Sequence, residues 1–412
     1  MIHRNITIPL LEALSDSPVV LLNGARQTGK STLVNWLGEH KHHARYLTFD
    51  DAGTLASARH DPAGFLAGID GNIILDEIQR MPELFMAIKA DVDRRRKPGR
   101  FLLTGSANVL LLPTLSESLA GRMEILTLWP FSQGEVEGLK ETFIDSVFDA
   151  QTPPLIKSAE SRTVIMNRVL TGGYPEILNR SAYGRRRAWF GSYLTTILQR
   201  DVRDLANIDG LTILPRLLSL LAARTASLLN FAELSRSSGI PQTTLKRYLT
   251  LLETTFLIHL LPAWSGNLSK RLVKAPKLYI SDTGLAAYLL GTGEMAEDFH
   301  MVGPLLENFV LLELLKQSSW STTQPRLFHF RTQTGQEVDF LLENAEGKIV
   351  AIEVKASKTL GDRDFSTLKA IAESLGKKFH RGILLYMGDE GIPFGPNLFA
   401  MPLQTIWHSS KK

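Results

Sequence analysis

The chain has 412 residues, 44% of them hydrophobic and 21% charged, a balance that fits roughly two to four domains with buried cores and excludes a disordered chain. A formal charge of +4 gives little global basicity, so a nucleic-acid partner has to be argued from local clusters. The absence of cysteine excludes disulfides, thiolate zinc sites and cysteine nucleophiles, and fits a reducing cytoplasm.

The first segment, "MIHRNITIPLLEALSDSPVVLLNG", is interrupted by Arg4, Glu12 and Asp16 and lacks the apolar run of a signal peptide; later apolar stretches also carry charges, so no membrane span is expected. "SPVVLLNGARQTGKSTLVNWLGEH" reads as a buried strand, a glycine-bounded loop and a helix. Gly24 to Ser31 match G-x-x-x-x-G-K-[ST], in which glycines let consecutive backbone N–H groups and a helix N-terminus wrap a phosphate chain. The loop residues Gly24, Ala25, Arg26, Gln27, Thr28, Gly29, Lys30, Ser31 and Thr32 are thus candidate ATP ligands, with Lys30 on the β and γ phosphates and Ser31 on Mg²⁺. "EHKHHARY" is read as a loop between helix and strand, and "YLTFDD" as the end of a second strand.

"NIILDEIQR" is a short apolar strand ending in Asp76 and Glu77, the first suited to the magnesium shell and the second to polarising an attacking water. After the basic loop "DRRRKPGR", the strand "RFLLTGSAN" ends in Thr104 and Ser106, placed to sense the γ-phosphate if that strand lies between the other two, or else forming a plain polar strand exit. Arg122 directly precedes the apolar run "MEILTL".

From "GARQTGKST" through "ILDEIQ" and "LLTGSAN" to "SLAGRMEILTLWPFSQGE", the chain resembles the AAA+ ATPases and, among them, a group related to the STAND class. The resemblance makes Arg122 an arginine finger that reaches the nucleotide of a neighbouring subunit, which implies a homo-oligomer; a salt bridge at a strand start is the alternative. It also makes Gly173 and Pro175, in "TGGYPEIL", the lid element beside the adenine, and "GRRRAWFGSYLTTILQRDVRDL" a lid helix.

In "LNFAELSRSSGIPQTTLKRYLTLLETTFLIHLLPAW" two helices flank a glycine turn; Leu245, Leu249 and Leu252 share one face and leave Gln242, Thr243, Lys246 and Arg247 outward, the disposition of a DNA-reading helix. Two apolar runs then form the expected wing, with Lys270, Arg271, Lys274 and Lys277 along its second arm. Such a winged helix contacts DNA or docks a protein.

The tail changes pattern. The helix "GPLLENFVLLELLKQ", the strands "LFHFRTQTGQEVDFLLE" and "KIVAIEVKAS", the helix "DFSTLKAIAESLGKKFH" and the strand "RGILLYMG" follow an order that resembles the restriction-endonuclease-like, PD-(D/E)xK fold. That resemblance makes Glu307, Asp339 and Glu353 ligands of a magnesium ion and Lys355 the residue that orients the attacking water, although Val338 stands where the motif has proline. A structural stripe of charges is the alternative.

The fold expected is α/β: a P-loop AAA+ core over 1–135, a helical lid over 136–207, a winged helix over 208–296 and a restriction-endonuclease-like α/β domain over 297–412. The whole chain resembles a bacterial and archaeal family that joins an AAA+ domain to a carboxyl-terminal domain of unknown function. The function expected is a magnesium-dependent ATPase that binds DNA and remodels it or moves on it as a homo-oligomer. Two alternatives stand beside it: an ATP-gated, metal-dependent endonuclease, and a STAND-like nucleotide switch that docks a protein.

Overall fold

A computed structural model describes residues 2–106, 119–153, 155–158, 160–202, 212–267, 271, 274–292, 301–332 and 335–408. The contacts divide the chain into a smaller unit, Arg4–Pro130 with Thr250–Leu257, and a larger one holding Met1–His3, Phe131–Leu249 and Ile258–Lys412.

Five parallel strands build the smaller unit: β1 (Val19–Asn23), β2 (Ala44–Thr48), β3 (Asn72–Asp76), β4 (Phe101–Gly105) and β5 (Met123–Thr127), in the order β2-β3-β4-β1-β5. The three central strands read as nearly unbroken apolar runs because helices cover both sheet faces. Their side chains alternate between two cores. Val19, Leu21, Ile73, Leu75, Phe101 and Leu103 enter one; Val20, Leu22, Ile74 and Leu102 enter the other. β4 lies between β1 and β3, so the carboxyl ends of the three motif-bearing strands are neighbours.

In the larger unit, the helices Arg162–Thr171 and Tyr183–Thr196 precede a run of helix (Leu214–Ala222), β6 (Ser227–Leu228), helix (Phe231–Ser238), helix (Gln242–Thr254), β7 (Ile258–Leu261) and β8 (Lys277–Ile280). The last turn of the Gln242–Thr254 helix clusters with the smaller unit. β8 pairs antiparallel with both β6 and β7. The helix Val302–Ser318 is apolar almost all round and buried accordingly. It leads into a six-stranded sheet of β9 (Arg326–Arg331), β10 (Glu337–Glu343), β11 (Ile349–Lys355), β12 (Phe379–Tyr386), β13 (Ile392–Gly395) and β14 (Leu398–Pro402), ordered β13-β14-β12-β11-β10-β9. β9, β10 and β11 form an antiparallel meander, and the helix Ser366–Leu375 carries the crossover to β12, parallel to β11. The segment read as one strand, "LFHFRTQTGQEVDFLLE", is therefore the hairpin β9–β10. Among the described residues no helix is long and apolar enough to cross a membrane.

Candidate functional site

The glycine-bounded loop joins β1 to the helix Lys30–His40. Gly24 has φ 147°, and a Cβ there would stand 2.2 Å from the Leu128 carbonyl oxygen, so no other residue fits. Gly29, at φ 94°, is the N-cap that turns the chain into the helix. Thr28 braces the loop from within, its hydroxyl donating to the Ala25 carbonyl at 2.9 Å. Buried Lys30 donates to the carbonyls of Gly24 and Ala25, each at 2.8 Å, so its ammonium lies folded back over the loop's first residues.

Three hydroxyls converge on Asp76. Ser31 donates to its Oδ1 at 3.1 Å, Tyr46 donates to Oδ2 at 2.7 Å, and Thr104 donates to Oδ1. Ser31 and Asp76 are hard oxygen donors on adjoining elements, a pair that fits Mg²⁺. Thr104 also accepts the Glu77 backbone N–H at 3.2 Å, so it ties the ends of β3 and β4 together. Glu77 adopts the left-handed backbone, φ 60° and ψ 45°. Gln79 donates to its carboxylate and, at 2.9 Å, to the Ser106 hydroxyl. Arg4 reaches the loop from behind, donating to the Thr28 carbonyl at 3.4 Å. Tyr46 and Arg4 escape a reading by motif because each belongs to no pattern and its hydrogen bonds span long stretches of sequence, while Gln79 lies within "ILDEIQ", a stretch that gives it no role by itself. Burial and the Asp76 hydrogen bond raise the Tyr46 hydroxyl well above its ordinary value, so it stays a donor.

Arg122 precedes β5 as expected and pairs with Asp93 of its own chain at 2.6 Å. Gly173 and Pro175 lie in the larger unit. The Gly173 N–H donates to Asp282 at 2.8 Å and its carbonyl accepts from Phe131 at 2.8 Å, while Pro175 starts a short helix.

The helix Gln242–Thr254 exposes Gln242, Thr243, Lys246 and Arg247 and buries Leu245, Leu249 and Leu252. The expected basic wing is corrected in two places. Arg271 turns inward and forms a two-pronged ion pair with Glu343 at 2.7 and 3.0 Å, with its guanidinium over the rings of Trp264 and Phe328. That guanidinium holds the Glu343 carboxyl below its ordinary value. Lys277 is buried as well. Lys274 is exposed, and Lys270 lies outside the described residues.

The structure gathers the tail's carboxylates around Lys277. Its ammonium is 2.5 Å from Glu337, 2.8 Å from Glu307 and 3.5 Å from Asp339. Tyr279, on the same face of β8, donates to Glu307 at 2.6 Å. Asp339 accepts the Val354 N–H at 2.9 Å, beside Glu353, and Lys355 pairs with Glu353 at 3.0 Å. Burial and then the Asp339 charge push Glu307 up to about 8 and Glu353 up to about 7; burial raises Asp339 too. Burial works against the charge of Lys277, but Glu307 and Asp339 outweigh it and hold the ammonium above its ordinary value. With that ammonium among them, the carboxylates do not fit a metal ion: among the described residues no group of three or more His, Cys, Asp or Glu side chains is disposed to hold one.

Comparison with known proteins agrees with the phosphate-loop geometry. Residues 16–137 match an AAA domain, residues 162–296 a domain of unknown function (DUF8612) and residues 302–406 another (DUF4143). An uncharacterised protein of Mycobacterium tuberculosis is 33% identical over 408 residues, 98% of this chain and 84% of its own, and the Mycobacterium bovis counterpart gives the same figures. A Walker-type ATPase of Pyrococcus abyssi is similar over 70% of this chain and 96% of its own, at 17% identity and a TM-score of 0.42.

Proposed function

The chain belongs to the family of the mycobacterial proteins Rv2008c and Mb2031c, and on that premise we propose that it is a magnesium-dependent ATPase that binds duplex DNA and remodels it or moves along it as a homo-oligomer. The observation that carries the ATPase reading is the 3.1 Å contact between Ser31, at the start of the loop's helix, and Asp76, at the end of β3. A magnesium ion between them would neutralise charge on the terminal phosphates. Lys30 would leave the loop carbonyls for the β and γ phosphates, and Glu77, steadied by Gln79, would orient water. Thr104 acts one step back, by fixing Asp76 and the Glu77 backbone. Arg122 would have to leave Asp93 to serve a neighbouring subunit, an exchange that a partly exposed ion pair permits at small cost.

The DNA half rests on the outward row Gln242, Thr243, Lys246 and Arg247 and on the helix–strand–helix–helix–strand–strand order of a winged helix. Phosphate release measured with Mg²⁺ should rise on adding duplex DNA, and Glu77→Gln should bind ATP without turning it over. Turnover indifferent to every nucleic acid would remove the DNA half and leave the ATPase.

One observation favours a second reading, a nucleotide-driven switch that docks a protein: Arg271 and Lys277 face inward, which strips two cations from the wing. No gel shift with DNA, together with ATP-dependent capture of one defined protein, would select it.

A further inference from the structure

The strand β8 delivers Lys277 into the carboxyl-terminal domain by its backbone and not by a swinging side chain. The Asn308 side chain clasps the strand's far end, accepting from the Ile280 N–H at 3.1 Å and donating to the Ile280 carbonyl at 2.9 Å. Before the strand, the His329 ring bonds the Ala275 carbonyl at 3.0 Å, and within it Tyr279 donates to Glu307. The side chain so placed is 2% exposed, and its ammonium lies between Glu307 from the helix Val302–Ser318 and the same-face pair Glu337 and Asp339 from β10. A divalent ion takes carboxylate oxygens at about 2.0–2.6 Å, which here would set it within a few ångströms of a fixed positive charge in a buried setting.

We propose that Lys277 stands in for the divalent cation in this cluster: the domain carries the residue pattern of a metal-dependent nuclease but is compensated by an ammonium of its own chain, and so binds no metal there. The cluster is then a clasp between the three-stranded sheet and the carboxyl-terminal domain. Metal can enter only if β8 withdraws or Lys277 is replaced.

Mn²⁺ titration of the nucleotide-free full chain by calorimetry tests this. Wild type and Asp339→Asn should give the same isotherm. Lys277→Met keeps an unbranched apolar stem and removes the charge; it should gain a Mn²⁺ site at least about tenfold tighter than any in wild type. That site should vanish in Lys277→Met/Asp339→Asn, and Mn²⁺ should raise the Tm of Lys277→Met by more than it raises that of wild type or of the double variant. Mn²⁺ binding by wild type that is lost in Asp339→Asn overturns the proposal, as does a folded Lys277→Met that gains no ion. Should Lys277→Met unfold, recovery of its circular dichroism with Mn²⁺ but not with KCl of equal ionic strength supports the proposal, and no recovery overturns it.

Discussion

The two ends of the molecule assemble the same residue types, acids and lysines, and hold them in opposite ways. At the amino-terminal site the carboxylate of Asp76 is met by hydroxyls of Ser31, Tyr46 and Thr104, while Lys30 is turned onto backbone carbonyls. Neutral donors orient a carboxylate without cancelling its charge, which suits the magnesium ion proposed there. At the carboxyl-terminal cluster Lys277 meets three carboxylates directly and cancels charge in place. An acidic motif therefore announces a need for positive charge, and the packing around it decides whether metal or protein supplies it.

The largest effect should come from removing Lys30. Lys30→Ala should lower ATP turnover by about a thousandfold, read as phosphate release, because in the proposed mechanism it removes the charge that meets the phosphates in the transition state. Turnover within a few-fold of wild type would mean that the ammonium over Gly24 and Ala25 never leaves them.

Next in size is the fixed pair Arg271–Glu343, whose side chains are 10% and 7% exposed. Arg271→Ala leaves Glu343 with the more exposed Arg326, 2.9 Å away, and removes stacking on Trp264 and Phe328. Urea unfolding should show a loss of about 3 kcal/mol. DNA affinity, if present, should change less than in Lys246→Ala; a larger change would return Arg271 to the wing.

A smaller effect sharpens the amino-terminal half. Tyr46→Phe removes one hydroxyl from Asp76 and nothing from the loop. It should raise the Mg²⁺ concentration for half-maximal turnover by about tenfold, as a lost outer-shell partner does, and leave saturated turnover nearly unchanged. An unaltered Mg²⁺ dependence would separate Asp76 from the metal.

The contrast also shows what a sequence displays. The phosphate loop was legible because all its parts are local: Gly24, Gly29, Lys30 and Ser31 act within one turn of chain, and β1, β3 and β4 announce themselves as apolar runs. Asp339, Glu353 and Lys355 were singled out by the resemblance to the nuclease-like fold, with strand periodicity setting only Glu353 and Lys355 on one face. Lys277 was not. In "KRLVKAPKLYI" it looks like its neighbours, and its burial depends on Glu307, Glu337 and Asp339, acids 30 or more residues away. The one local sign was its position opening the buried strand "KLYI", where a charge requires a partner. Tyr46 was invisible for the same reason, since a hydrogen bond to a carboxylate 30 residues away leaves no mark on composition or period.

A third acidic site extends the comparison. Glu141 is buried, accepts from the Ser132 hydroxyl and from the Gly134 N–H at 3.1 Å, and lies near Glu313. Burial, then the Glu313 charge, push it up to about 8, so it holds its proton through neutral pH. Because the folded state binds that proton more tightly than the unfolded chain, stability is highest below the ordinary carboxylate range and falls as pH rises through about 8. Glu141→Gln keeps a polar group beside Ser132 and cannot titrate. Urea unfolding between pH 5 and 8 should therefore lose a slope of about 1 kcal/mol per pH unit in the variant, which should exceed wild type in relative stability most at the alkaline end. Parallel pH profiles would place the titrating group elsewhere than Glu141.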